Sequence, residues 1–264
     1  MDLKLKNKTA LVTGSTAGIG FAIAKALAFE GADVYINGRD KNKVDTVAQE
    51  LVLATGNSNI KGIAADFSDK QQIDQLLKQL PAVDILINNV GIFEPKAFKD
   101  ITDDDWFKFF EVNVLSGVRL SRVYFDKMLE ENWGRIIFIS SESAVQIPAE
   151  MIHYGMTKTA QIAVARGLAE LTVGTKVTVN SVLPGPTLSE GVDGFMKALA
   201  TDQGKSEAEM EKEFFTNMRG TSLIKRFISP EEIANMVAYI ASPLSSATNG
   251  AVLRADGGVI KTAF

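Results

Sequence analysis

Tyr154 and Lys158 stand four residues apart in a segment of helical periodicity, so both side chains leave one face of one helix. A phenol ordinarily titrates near ~10, too high for efficient proton transfer at neutral pH. An ammonium on the same face favours the phenolate and brings that value toward a useful range. Alone, the pair is equally readable as a surface contact without chemistry. A second arrangement lies near the N-terminus, where Thr13-Gly14-Ser15-Thr16-Ala17-Gly18-Ile19-Gly20 follows an apolar run and opens a helical segment. Glycines there let the backbone turn sharply and approach a pyrophosphate, while the helix N-terminus offers free N–H groups and a positive dipole. The spacing is Gly-x-x-x-Gly-x-Gly rather than GxGxxG, and a plain tight connection is the alternative. The strand before and the helix after favour a phosphate cradle of Gly14, Ser15, Thr16, Gly18, Ile19 and Gly20.

Positioning such groups needs a rigid frame, and the remaining sequence supplies its elements. Apolar runs over Thr9–Thr13, Asp33–Asn37, Ile60–Ala64, Val83–Ile87, Arg135–Ile139 and Lys176–Val182 read as buried strands. Between them lie helical segments such as Ile19–Phe29 and Asp69–Gln79. That alternation predicts an α/β fold, a doubly wound, predominantly parallel sheet with helices on both faces. No repeat, low-complexity tract or linker divides the 264 residues, so a single domain over 1–264 is expected. Ser229-Pro230-Glu231-Glu232 is a strong helix start, with a serine cap, proline at the first position and an acid at the third.

Composition excludes several chemistries. Without cysteine, and with His153 as its one histidine, the chain has no ligand set for a zinc-dependent dehydrogenase. The lone histidine also lacks the GxSxG elbow of a serine hydrolase, and no metal site is expected. A net charge of −4 gives no reason to expect nucleic-acid binding. No run approaches the ~20 apolar residues of a membrane helix, and the N-terminus lacks the apolar stretch of a signal peptide. A cytoplasmic location is the expectation.

The glycine loop resembles the TGxxxGxG motif of the short-chain dehydrogenase/reductase family, and further matches follow along nearly the whole chain. Asn88-Asn89-Val90-Gly91 is similar to the family's NNAG, with Val in place of Ala. Asn113 sits in a Val-Asn-Val context. Tyr154 and Lys158 form a YxxxK match, with Ser141 thirteen residues before the tyrosine. Pro184-Gly185 followed by Thr187, and Asp256-Gly257-Gly258, complete the series. The resemblance implies a seven-stranded Rossmann domain and hydride transfer between a nicotinamide cofactor and a carbonyl or secondary alcohol, a 3-oxoacyl thioester being one substrate type. Tyr154 is then the proton donor or acceptor, Ser141 stabilises charge on the substrate oxygen, Lys158 tunes Tyr154 and binds the nicotinamide ribose, and Asn113 holds a water of the proton relay. Asp66 is expected at the adenine, Asn88 near its ribose, Gly91 beside the cofactor, and Pro184, Gly185 and Thr187 at the nicotinamide end. A catalytically silent dinucleotide sensor of the same fold is the competing reading, opposed by the four intact catalytic positions.

Cofactor choice is set near the end of the second strand, where an acid binds the 2′-hydroxyl of NAD. Here the chain has Asn37-Gly38-Arg39. A guanidinium in place of an acid favours a 2′-phosphate, hence NADP(H), with NAD(H) the alternative. Glu142, Gln146, Met151, His153 and Phe93 are candidate substrate contacts, each with a structural alternative. The stretch 188–226 carries Phe195, Met196, Leu199, Met210, Phe214, Phe215 and Met218 at helical spacings, and reads either as surface helices or as a substrate lid with an apolar underside. The Trp106–Phe110 stripe, running on through Val114, Leu115 and Val118 to Tyr124, and Ile162, Val164 and Leu168, present more apolar surface than one sheet face covers. A homo-oligomer, with a tetramer favoured, is the expectation.

Overall fold

Strands rich in Val, Ile and Leu, separated by helices long enough to cross back over the sheet, have one good solution: parallel pairing with both faces covered. The computed structural model, which describes residues 2–263 apart from the side chain of Phe195, has that architecture. Its strands are β1 (Thr9–Val12), β2 (Asp33–Gly38), β3 (Ile60–Ala64), β4 (Ile85–Asn88), β5 (Gly134–Ile139), β6 (Val177–Pro184) and β7 (Val252–Ala255). They form one sheet in the order β3-β2-β1-β4-β5-β6-β7, and every neighbouring pair is parallel. Six strands fall where the apolar runs place them, within two residues at each end. β7, half-exposed at the sheet edge, carries no comparable run.

Helices α1 (Gly18–Phe29), α2 (Lys41–Thr55) and α9 (Pro230–Ala241) cover one face through Ile23, Leu27, Val44, Leu51, Ile233 and Val237. On the other face lie α3 (Lys70–Gln79), α5 (Ser116–Glu130) and α6 (Ile152–Glu170), with Leu76, Leu120, Tyr124 and Ala165 buried. Ser229 caps α9 in a full capping box with Glu232. Helix α4 (Asp103–Phe110) runs into α5 through a π turn over Glu111–Leu115. The aromatic stripe splits here. Phe109, Val114 and Tyr124 are buried in their own chain, whereas Phe107 and Phe110 remain exposed. Helices α7 (Glu190–Asp202) and α8 (Glu207–Asn217) lie between β6 and α9 and share a small core of Met196, Ala200, Met210, Phe215 and Phe227.

The strand order reverses between β1 and β4, and the crevice beyond their carboxyl ends is where such sheets take ligands. Asn37, at the end of β2, fixes one wall of it. Its amide donates to the carbonyls of Ile63 and Ala65 at 3.1 and 3.3 Å, and its Oδ1 accepts from the Gly14 N–H at 3.1 Å. This one buried side chain joins the β1, β2 and β3 ends. Replacing Asn37 by Ala leaves three backbone groups without it, and the expected loss is about 3 kcal/mol of stability, read as a lower midpoint in denaturant unfolding.

Candidate active site

The glycine loop is built for close backbone approach. A Cβ at Gly20 would sit 2.3 Å from the Gly14 carbonyl and 2.5 Å from Asn89 Nδ2, so no side chain fits there. Ala17 precedes α1 without any side-chain cap, and the first turn of α1 has no acid. The helix N-terminus therefore keeps its positive end and free donors for an anion. At the neighbouring β2 end, Thr16 packs so tightly on Gly38 that a Cβ there would meet its methyl at 2.6 Å. Arg39 follows, exposed, with no hydrogen bond or ion pair to any described residue.

Other expected cofactor contacts divide. Gly18, Ile19 and Gly20 border the crevice, and Gly91, Pro184, Gly185 and Thr187 line the main cavity. Asp66 lies beyond β3 and holds its own turn, accepting from the Ser68 N–H and hydroxyl. Ser15 is fully buried, and its hydroxyl is used inward, donating to Val12 O and accepting from Asn37 N. Asn88 also turns inward, donating to Ser121 Oγ on α5 at 3.2 Å. Its neighbour Asn89 instead meets the glycine loop, donating to the carbonyls of Thr13 and Gly14 at 2.9 and 3.0 Å, and lines the cavity. The tandem asparagines signal this position, but strand alternation at a strand end does not tell which one turns outward.

Tyr154, Ser141, Lys158 and Asn113 come together at the base of a cavity of about 280 Å³; the first three line it. Ser141 caps a short helical turn by accepting from Ser143 N. Lys158 is 4% exposed, its ammonium donating to the Ile139 carbonyl at 2.9 Å and to Gln161 Oε1 at 3.3 Å. Gln161 donates in turn to the Asn113 backbone carbonyl, within the π turn, at 2.5 Å. Asn113 clamps the loop after β4, accepting from Ile92 N at 2.8 Å and donating to Ile92 O and Thr157 Oγ1, both at 3.0 Å. Gln161 and Thr157 belong to this network, although neither falls in a motif.

Electrostatics depart from the expectation of a lowered phenol. Burial pushes Tyr154 up to about 12, and the Ser141 hydroxyl beside it opposes only part of that. Burial also brings Lys158 down to about 7. The ammonium lies 5.6 Å from the Tyr154 ring centre, and desolvation is the largest influence on the phenol.

Of the candidate substrate contacts, Phe93, Glu142 and Met151 line the cavity. Gln146 binds Thr221 instead. His153 is fully buried against Phe109, ring centres 4.0 Å apart, and its packing is structural. The far wall is Val192, Met196, Phe214 and Met218, with Arg219, which no motif marks, crossing to Glu142.

The profile of the short chain dehydrogenase family matches residues 8–200. The chain belongs to that family. It is 51% identical to an uncharacterized oxidoreductase of Bacillus subtilis, YvaG, over the full length of both chains. The identity with 3-oxoacyl-[acyl-carrier-protein] reductase FabG of Aquifex aeolicus is 31%, covering 98% of this chain and all of that one. L-Sorbose reductase of Gluconobacter frateurii, solved with NADPH and L-sorbose, superposes with a TM-score of 0.93 at 29% identity, over 99% of this chain and all of that one. The protein is thus an NAD(P)-dependent oxidoreductase. Among the described residues no group of acids or histidine is arranged to hold a metal, and no helix is long and apolar enough to cross a membrane.

The buried lysine gives the cofactor-free protein a defined pH response. Unfolded, Lys158 titrates near 10.5, so between about 7 and 10.5 the unfolded chain holds a proton the folded chain has released. Stability therefore rises with pH across that window, by about 1 kcal/mol per unit; the Tyr154 shift acts oppositely only above pH 10. Urea unfolding from pH 7 to 9 should show this rise in the native chain, and Lys158→Met should flatten it.

Proposed function

We propose that this protein transfers hydride between NADP(H) and a small ketone or secondary alcohol, with Tyr154 moving the proton. The observation that carries the reading is the convergence of Tyr154, Ser141 and Lys158 at the floor of one cavity beside an uncapped helix N-terminus. The glycine cradle and the unpaired Arg39 fit the cofactor's phosphates. When bound, NADPH supplies the hydride to the carbonyl carbon. Tyr154 gives its proton to the carbonyl oxygen in reduction and accepts it in oxidation. Ser141 donates to that oxygen as its charge develops. Lys158 holds a cation near the phenol and binds the nicotinamide ribose. Asn113 keeps the Ile92 loop and the Lys158–Gln161 pair in place, and orders the relay's water through the remaining lone pair of its carbonyl. Asp66 and Thr16 flank the adenosine, and Asn89, held at the glycine loop, takes the place near the ribose that the resemblance gave to Asn88. Gly91, Pro184, Gly185 and Thr187 border the nicotinamide end.

A 3-oxoacyl thioester is the second substrate reading, supported by the relatives named for that reduction and by the apolar wall of Phe93, Met196 and Met218. Helices α7 and α8, within 188–226 of a single domain, are the substrate lid. Exposed Phe107, Phe110 and Val123 on α4 and α5, and Tyr239, Leu244 and Val252 near the sheet edge, support a homotetramer. The absence of cysteine is in keeping with a cytoplasmic enzyme.

The deciding experiment is a ketone and thioester panel followed by nicotinamide absorbance. Tyr154→Phe should bind cofactor yet lose at least about a thousandfold in kcat, since it removes only the transferred proton; near-native turnover in that variant would refute the mechanism. NADPH should bind more tightly than NADH, and Arg39→Ala should weaken NADPH about tenfold while leaving NADH unchanged, as a titration of cofactor fluorescence would show.

A further inference from the structure

Glu142 follows Ser141 directly in the chain and lines the same cavity as Tyr154, yet the proton-transfer chemistry gives it no work. The residue is 4% exposed. One carboxylate oxygen, Oε1, accepts from Arg219 Nε at 2.9 Å. The other, Oε2, is buried with no close hydrogen bond among the described residues, and the Ser143 hydroxyl is the one further donor beside the carboxylate. Arg219, itself 8% exposed, reaches in from the α8–α9 connection and also donates to Glu150 Oε1 at 3.3 Å and Met218 O at 3.0 Å. A buried carboxylate oxygen left unpaired carries its full desolvation cost, which a donor arriving in the cavity relieves. The charge of Glu142 is felt at the Tyr154 phenol, which places the carboxylate within electrostatic reach of the reacting centre.

The surrounding charges narrow what that donor belongs to. Burial raises the Glu142 carboxyl above its ordinary value against the pull of Arg219, and Asp256 adds to that rise; with both acids ionised, two carboxylates and one guanidinium leave the cluster net negative. An anionic substrate is repelled, and Arg219 is already engaged by both acids. Serine, threonine and asparagine side chains also line the cavity with the catalytic candidates, but the wall nearest this pole includes Phe93, Met151 and Met218, which accept carbon and offer no hydrogen bonds from their side chains. The fitting ligand is neutral, largely carbon, and carries a hydroxyl close to its carbonyl.

We propose that Glu142 Oε2 is the specificity acceptor of this site, taking a hydrogen bond from a substrate hydroxyl one or two carbons from the reacting carbonyl, so that uncharged hydroxy ketones are the preferred substrate class. The inference rests on the reductase reading above. It deepens that reading by assigning a substrate class and a residue to recognise it. In reduction the carbonyl carbon gains hydride from NADPH, the carbonyl oxygen gains the Tyr154 proton, and the product is a diol; the recognised hydroxyl keeps all its bonds.

Two matched pairs of probes isolate the effect, each replacing a hydroxyl by a methyl of similar size: 1-hydroxy-2-butanone against 3-pentanone, and 4-hydroxy-2-butanone against 2-pentanone. With NADPH, kcat/KM should favour the hydroxy ketone by about tenfold or more in at least one pair. Glu142→Gln retains shape and an acceptor for Arg219 but replaces the free acceptor by an amide donor, and should bring that ratio toward one. Glu142→Met should do the same; where it fails to fold, the isosteric Gln variant and the native ratio still decide. A role confined to fastening Arg219 would lower both members of a pair alike and leave the ratio intact, which overturns the proposal. Equal turnover of all four ketones by the native protein, abolished in Tyr154→Phe, would also overturn it while the reductase reading stands. No turnover of any of the four while a thioester of the panel is reduced would overturn the proposal alone; no turnover of the four or of any panel member with either nicotinamide would sink both.

Discussion

Lys158 presents the fold with its hardest local problem, because an ammonium 4% exposed must be satisfied or neutralised. The surroundings solve it with neutral oxygen atoms instead of a counter-ion. The Ile139 carbonyl at the end of β5 takes one proton and Gln161, one helical turn along α6, takes another. Gln161 is itself fixed by the Asn113 carbonyl, which lies within the π turn. Asn113 in turn clamps the loop after β4. A single buried lysine, its amine brought down to about 7 by burial, thus ties β5, α6, the α4–α5 junction and the β4 loop into one hydrogen-bonded unit. Removing any member leaves another polar group unpaired in a region of low dielectric.

Parallel pairing gives this unit its place. All seven strands point the same way, so every strand-to-helix loop from the phosphate cradle to Thr187 emerges at one edge of the sheet. The reversal of strand order between β1 and β4 opens the crevice there. Asn37 and Asn89 then hold the glycine loop from both sides, one from the β2 end and one from the β4 end. The loop needs such external anchors because it is short of side chains of its own. Its position relative to Tyr154 is therefore set by the sheet register more than by local conformational preference.

Much of this was legible in the residues. Six strands announced themselves because a parallel strand buried on both faces is apolar throughout, and the helix start at Ser229 was read from its cap and proline. β7 was not, since an edge strand half-open to solvent needs no apolar run. The four catalytic candidates were legible because their spacing survives in sequence as a pattern. The direction a side chain takes at a strand end does not, and so Ser15 and Asn88, which share motifs with outward-facing neighbours, turn inward to satisfy buried backbone and the α5 serine. The lowered phenol expected from Lys158 also failed. That expectation weighed one charge, whereas desolvation is the largest influence on both residues. Arg219 was invisible for another reason: its contact with Glu142 spans 77 residues, and only the packing of α8 against the cavity brings the two together.

The two opposed shifts also say which group titrates near neutrality. With Tyr154 held at about 12 and Lys158 at about 7, the phenol keeps its proton throughout the physiological range, while the lysine is the group whose charge changes there. In the reduction proposed above, a tyrosine of that kind donates its proton once the carbonyl oxygen gains negative charge during hydride transfer. The phenolate left behind is then stabilised most when Lys158 is charged. Protonation of the lysine is unfavourable in the empty cavity because nothing anionic faces it, and it becomes favourable once a phenolate forms beside it. In that proposed reaction the cost of burying Lys158 in the resting protein is recovered at the stage where negative charge is largest, which is the condition for an interaction to lower a barrier instead of merely tightening binding.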